Sequence, residues 1–307
     1  MNQDTIPPSI NQDIKTMIPK LWNLNKWTRE DLPCNNPCSL MRKNIEVLQN
    51  GYMVGAKADG VRTFMLLSFV EEPEVDYVAL VNRAGKGEVL DIRASSELYS
   101  GTLLDGEIVE QPDGTRTYFV FDIIAVSGYT MVNKSHTIRR GEIRRVLNQI
   151  TASNGLRIAE KKWFPYEHVN YDSVAGSIHP HPCDGFIFVP EQGRKLCPGK
   201  QLDHFKWKRA EDHTIDFCLY NNDLFVEDGG CPVDATNIGV KGFKNQSADE
   251  IPDASIVECK MINIEGDTWE AQFLRSRPDK TRPNDLKIAK LTLQNVVEDI
   301  QLEELMN

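Results

Sequence analysis

The sequence predicts an α+β chain: a β-rich domain of antiparallel sheets with flanking helices, followed by a smaller β-domain. Three observations predict it. From Tyr52 to residue 220, strand-like runs recur. Helical spacing is confined to a short N-terminal stretch, residues 138–150 and the tail from Leu286. Beyond residue 220 the composition becomes loop-rich, with short strands between turn clusters, as in a small barrel or sandwich. A length of 307 residues allows about two domains. Hydrophobic residues at 40% and charged residues at 26% supply an ordinary core and surface, which excludes disorder of the whole chain.

The elements follow in order. The first ~45 residues are rich in Pro and Asn and read as irregular, with one short helix at Ile18–Trp22. YMVGAK and VRTFMLLSF flank Ala58, Asp59 and Gly60, and an Asp-Gly step between apolar runs predicts a hairpin with Lys57 at its tip. Further strands are expected at YVALVNR (77–83), TLLDGEIVE (102–110) and TYFVFDIIAV (117–126). Ile138, Ile143, Val146, Leu147 and Ile150 recur at helical spacing. GFIFV (185–189), LDHFKWK (202–208) and TIDFCLY (214–220) read as strands. SIVECKM (255–261) and TWEAQFLR (268–275) are short strands between the EDGGCP and NQSADEIPD turns. Leu293, Val296, Val297, Ile300 and Leu305 predict a C-terminal helix.

Charge and cysteine usage exclude some functions. Lys and Arg number 35 against 45 Asp and Glu, a net charge of −10. A protein that grips long nucleic acid nonspecifically must replace counterions along many phosphates and is usually basic; brief handling of one nucleic-acid end stays compatible. Seven cysteines without a CxxC pair disfavour a disulfide framework or zinc ribbon and suit a reducing compartment. MNQDTIPPSI has neither a basic n-region nor an apolar h-region, so no secretory signal is expected. No apolar run approaches the ~20 residues of a membrane-spanning helix. His179, His181 and Cys183 alternate at a spacing that suits no common zinc site and read as a solvated loop.

Chemistry concentrates elsewhere. In Lys57-x-Asp59-Gly60-x-Arg62 a lysine, nucleophilic only when neutral, stands beside an arginine fork for phosphate or carboxylate oxygens; the bland alternative is a solvated lysine on a hairpin. Asp105-Gly106-Glu107 follows the apolar Leu103–Leu104, Asp184-Gly185 opens GFIFV, and Lys206 and Lys208 flank Trp207 on one strand face. Arg275, Arg277, Asp279 and Lys280 cluster late. Acidic strand ends can hold a divalent cation and a lysine pair can hold phosphates. Read singly, the same segments are a turn, a snorkelling surface strand and a solvated loop.

Taken together, KADGVR (57–62), VNRAG (81–85), LLDGEIV (103–109), YFVFDI (118–123), CDGFIFVP (183–190), FKWK (205–208) and RSRPDKTRPND (275–285) resemble the covalent nucleotidyltransferases, mRNA capping guanylyltransferases and ATP-dependent polynucleotide ligases, over nearly the whole chain. Asp184 in place of the ligases' glutamate, the closing R-x-D-K followed by P-N, with Trp269 upstream, and the lead-in NNPCSLMRKN (35–44) resemble the capping branch. The resemblance implies a nucleotidyltransferase domain over 1–217, an OB-fold barrel over 218–287 and a C-terminal helix, 288–307, packing back on the first domain. It implies that Lys57 takes GMP from GTP and passes it to the 5′-diphosphate end of RNA, giving a GpppN cap. A ligase using lysyl-AMP, or a non-catalytic RNA-end or polymerase-binding module, is the alternative.

By the same resemblance Arg62 and Glu107 hold the ribose, Arg83 contacts ribose or phosphate, and Phe121 stacks on the base, although strand alternation makes it equally a core residue. Asp184 is the carboxylate for Mg²⁺ or Mn²⁺. Lys206 and Lys208 contact the α-phosphate, and their charge is expected to favour a neutral Lys57. Arg277, Asp279 and Lys280 orient pyrophosphate, with Pro278 a departure from the signature. Lys162, in KWF (162–164), is the candidate guanine reader, a plain surface lysine being the alternative. The implied partners are an RNA 5′-diphosphate end, a separate RNA 5′-triphosphatase and cap methyltransferase, and the phosphorylated tail of RNA polymerase II. The implied setting is the nucleus, or the cytoplasm if viral, with no membrane partner.

Overall fold

The computed structural model describes residues 6–27, 31–111, 113–151, 155–193, 195–245, 251–278 and 280–305. Two compact units emerge, one comprising residues up to Cys38 and Glu46–Lys206, the other Ser39–Ile45 and the chain from Trp207.

In the first unit the strand Val61–Val70 lies inside a seven-stranded sheet, between Val75–Asn82 and Thr102–Glu110, with Arg116–Val126 next in order. Its side chains alternate between two cores because successive strand residues face opposite ways. Phe64 and Leu66 pack with Ile14, Ile18 and Trp22; Met65 and Leu67 pack with Tyr118, Ile143 and Val146. A helix therefore covers each face. The N-terminal one runs over Pro8–Leu21, longer than Ile18–Trp22, and starts on proline, whose missing N–H has no partner to lose there. The other is His136–Leu147, where Ile138 is exposed and Arg139 takes the inward position expected of it.

The Asp59–Gly60 step does not close a hairpin. Tyr52–Ala58 belongs to a separate five-stranded sheet, pairing with Cys183–Pro190 and Phe164–Pro165. The step instead carries the chain from one sheet to the other. Gly60 is needed for close approach: a Cβ there would lie 2.4 Å from the Ile108 main-chain oxygen. Lys57 accordingly sits near the end of a strand rather than at a tip.

In the second unit six strands run in an open path from Cys231–Asp234 to Val240–Lys244, with Thr214–Tyr220, Ser255–Glu265 and Thr268–Ser276 among them. Thr214–Tyr220 pairs along its length with Ser255–Glu265, so the unit begins at Trp207 and not at residue 218. The terminal helix, Leu286–Glu298, starts at Asp285, whose side chain accepts from the Lys287 N–H. Its inward residues Ala289 and Leu293 join the core of Ile215, Phe217 and Trp269. That apolar face packs within the second unit. Ser39–Ile45 joins the same unit, Asn295 donating to the Leu40 oxygen at 2.8 Å.

Candidate active site

Between the two sheets of the first unit lies a cavity of about 240 Å³. Lys57 enters it from the five-stranded sheet, and its Nζ donates to Asp184 Oδ2 at 2.5 Å. A β-bulge makes that contact possible. Cys183 pairs with Ala58, the register then shifts, and Phe186 pairs with Ala56. Asp184 and Gly185 together oppose the single residue Lys57, and Gly185 adopts φ +118°, a conformation that favours glycine. The Asp-Gly pair read from the sequence thus re-aims a carboxylate at the lysine.

From the seven-stranded sheet come Arg62, Glu107 and Phe121. Arg62 is bidentate to Asp105, with Nε–Oδ1 3.0 Å and Nη2–Oδ2 2.5 Å. Asp105 is fully buried, and burial pushes its carboxyl up against the opposing pull of the guanidinium. Glu107 is likewise pushed up by burial, opposed by Lys161, Lys57 and the Gly60 N–H. A second bulge decides Phe121. Asp105 pairs with Asp122 but Gly106 pairs with Val120, so Phe121 is the extra residue. Its ring lies 5.3 Å from the Arg62 guanidinium carbon and 5.7 Å from Lys161 Nζ. The ring therefore belongs to the cavity wall.

The far wall is apolar: Met53, Trp163 and Val189 form a small cluster with Phe121 and Ile187 against it. Lys161 stands in this wall, 5% exposed, with Nζ 5.1 Å from the Trp163 ring. Burial pulls its ammonium down to about 8, Lys57 adds to that effect and Glu107 opposes it. Lys162 is exposed and does not border the cavity. The cavity is bordered instead by Lys161 and Trp163, the residues on either side of the exposed Lys162. Gly55 makes the room, since a Cβ there would lie 2.9 Å from Trp163 Cε3 and 3.0 Å from Lys161 Cε.

Asp122, His136 and His204, which motif reading missed, also border the cavity. Asp122 and Arg139, both buried, form a second bidentate pair at 2.6 and 2.9 Å. His136 packs edge-on to Trp163, ring centroids 4.9 Å apart, and neither of its nitrogens has a hydrogen-bond partner. Burial drives it down to about 3 and His204 down to about 4. The K-x-W spacing of Lys161 and Trp163 was a usable signal, and Asn35 opens the lead-in NNPCSLMRKN; nothing in the sequence marks His136 or His204.

The other predicted residues distribute unevenly. Lys206 borders the cavity. The strand Gly199–Trp207 ends before Lys208, so the two lysines do not share a strand face, and Lys208 does not border the cavity. Arg83 lies in a turn, pairs with Asp31 and also stands outside the cavity, because the strand before it ends at Asn82. In the second unit Arg277 meets Asp216 and Glu258, each at 3.3 Å, and Lys280 pairs with Asp216. Asp279 lies outside the described residues. Among the described residues no group of three or more His, Cys, Asp or Glu side chains could by itself hold a metal ion.

The mRNA capping enzyme catalytic-domain family matches residues 1–210 and the mRNA capping enzyme C-terminal-domain family matches residues 210–306. The chain is 26% identical to the mRNA-capping enzyme subunit alpha of Eremothecium gossypii, over 97% of this chain and 82% of that one. It is 28% identical to the Danio rerio mRNA-capping enzyme, over 94% of this chain and 51% of that one. Among solved structures, mycobacterial DNA ligase D complexed with ATP and MES is similar with a TM-score of 0.44 at 13% identity, covering 81% of this chain and 94% of that one. Because the two family matches together span residues 1–306, the chain belongs to the mRNA capping enzyme family.

Proposed function

We propose that the protein is an mRNA guanylyltransferase in which Lys57 carries GMP from GTP to the 5′-diphosphate end of RNA. The observation that carries this reading is Lys57 beside Asp184 at one end of a cavity whose other end is an aromatic, apolar wall containing one buried cation. A nucleoside triphosphate matches both ends, the purine against Phe121 and Trp163 and the phosphates near Lys57 and Lys206. In the first half-reaction the Lys57 amine forms a P–N bond to the α-phosphorus, the bond from that phosphorus to the bridging oxygen breaks, and pyrophosphate leaves. In the second, a terminal oxygen of the RNA 5′-diphosphate attacks the same phosphorus, the P–N bond breaks and the amine is recovered. The side chains act by positioning and charge.

Lys161 is the guanine-side group. Its ammonium only donates, so it favours the O6 acceptor of guanine over the N6 amino group of adenine. Arg62 and Glu107 face the ribose. Arg277, Asp279 and Lys280 attend the departing pyrophosphate, with the second unit acting as the OB-fold lid of the usual kind. Asp184 is the carboxylate for Mg²⁺ or Mn²⁺. A donor set of one carboxylate completed by phosphate oxygens and water fits such ions, which supply charge neutralisation at the phosphates when bound. A relative named as an alpha subunit is consistent with partners in a capping complex; we assign the triphosphatase and methyltransferase steps to other polypeptides and the setting to the nucleus.

The test is incubation with α-labelled GTP or ATP and Mg²⁺ or Mn²⁺. An acid-labile, alkali-stable adduct from GTP alone, absent in Lys57→Ala, supports the reading. Label from ATP alone, or label that persists in Lys57→Ala, overturns it.

A further inference from the structure

Arg62 carries five N–H donors, and four of them are engaged within the first unit. Asp105 takes the edge formed by Nε and Nη2, at 3.0 and 2.5 Å. Asn35 takes the edge between the two terminal nitrogens: Nη2 donates to its Oδ1 at 2.7 Å and Nη1 donates to its main-chain oxygen. Among the described residues one N–H, on Nη1, is left. An arginine held this way cannot fork onto a ligand; it can offer one directed donor.

The two holders come from different sheets. Asp105 is on Thr102–Glu110, the neighbour of the Arg62 strand in the seven-stranded sheet. Asn35 begins Asn35–Ser39, an edge strand of the five-stranded sheet. It is 6% exposed and borders the cavity. Bidentate pairing to Asp105 fixes where the guanidinium sits, and Asn35 fixes its plane and the direction of the remaining donor relative to the Lys57 sheet.

We propose that Asn35 is a positioning residue for the nucleotide sugar, aiming the last Arg62 donor at a ribose hydroxyl; the inference rests on the GTP site described above. The side-chain amide oxygen is the part that matters, since the main-chain oxygen survives substitution.

The test compares Lys57–GMP formation from GTP, 2′-deoxy-GTP and 3′-deoxy-GTP in wild type, Asn35→Ala and Asn35→Asp. A directed donor to one hydroxyl predicts that wild type disfavours one of the deoxy analogues by about tenfold, the scale of a hydrogen bond from a charged donor. In Asn35→Ala the KM for GTP rises by a similar factor, kcat changes little and the analogue preference flattens. Asn35→Asp keeps an acceptor at the same place and keeps the preference. Should the alanine protein fail to fold, Asn35→Leu, close in volume, gives the same readout. Retention of both the GTP KM and the analogue preference in Asn35→Ala overturns the proposal, as does a wild type indifferent to both hydroxyls. Absence of any GTP adduct in wild type overturns the guanylyltransferase reading instead.

Discussion

Lys161 makes the fold less stable than an apolar residue would. Its ammonium titrates at about 8 instead of 10.5 because it is buried beside Lys57, with Glu107 compensating in part. At 1.36 kcal/mol per pH unit, holding it charged at pH 7 costs about 3 kcal/mol relative to a neutral side chain of the same shape. Lys161→Met supplies that shape. It also removes the cation beside Glu107, whose carboxyl then rises further, so part of the gain is offset. The expected net effect at neutral pH is stabilisation by about 1–3 kcal/mol, together with loss of GTP-over-ATP preference in adduct formation. The pH dependence separates this cause from generic repacking. The unfolded chain keeps the lysine proton up to 10.5 while the folded chain releases it near 8, so between these values the unfolded state binds more protons and wild-type stability rises with pH. The advantage of the methionine variant should therefore shrink by about 2 kcal/mol between pH 8 and 9.5. Denaturant unfolding of both proteins followed by tryptophan fluorescence measures the difference, in which other titrating groups cancel. A variant less stable than wild type across the range, or an advantage that does not change with pH, would refute the reasoning.

Three further outcomes are expected. Asp122→Ala leaves Arg139, 1% exposed, without its bidentate partner, and should lower stability by about 3–5 kcal/mol; a Tm within a degree of wild type would contradict this. Gly55→Ala puts a methyl 2.9 Å from Trp163 and 3.0 Å from Lys161; repacking should cost about 1–3 kcal/mol and raise the KM for GTP, to be read by adduct titration. His136 and His204 titrate in the fold at about 3 and about 4, below the ordinary 6.5. The unfolded chain binds those protons first, so stability should fall as pH drops below 6.5, and His136→Phe should remove one proton from the acid slope. Unchanged proton uptake in that variant would sink the assignment.

Much of the site was legible because it is written in short contiguous strings. Lys57 and Arg62, Asp105 and Glu107, and Asp184 with Gly185 are each fixed by neighbours one or two residues away, so local pattern sufficed to single them out. Which of Lys161 and Lys162 borders the cavity was not legible, because adjacent lysines are chemically equivalent in a sequence and differ only in which face of the chain they occupy. Phe121 stayed ambiguous because a bulge resets alternation at that residue, and no composition rule marks a bulge. The Asp-Gly step misled because its local turn chemistry is the same whether the chain reverses within a sheet or crosses to another.

What the sequence determined by itself is which lysine, arginine and carboxylates stand together in short strings and which strands carry them, since these depend on residue type and short spacing. Only the tertiary structure decided how many donors Arg62 has left, that Lys161 and not Lys162 faces the cavity, and which core the last helix joins. Each of those depends on what sits across a sheet or behind a wall, contributed by residues far away in the chain, and desolvation and hydrogen-bond saturation act only between groups that folding has brought together.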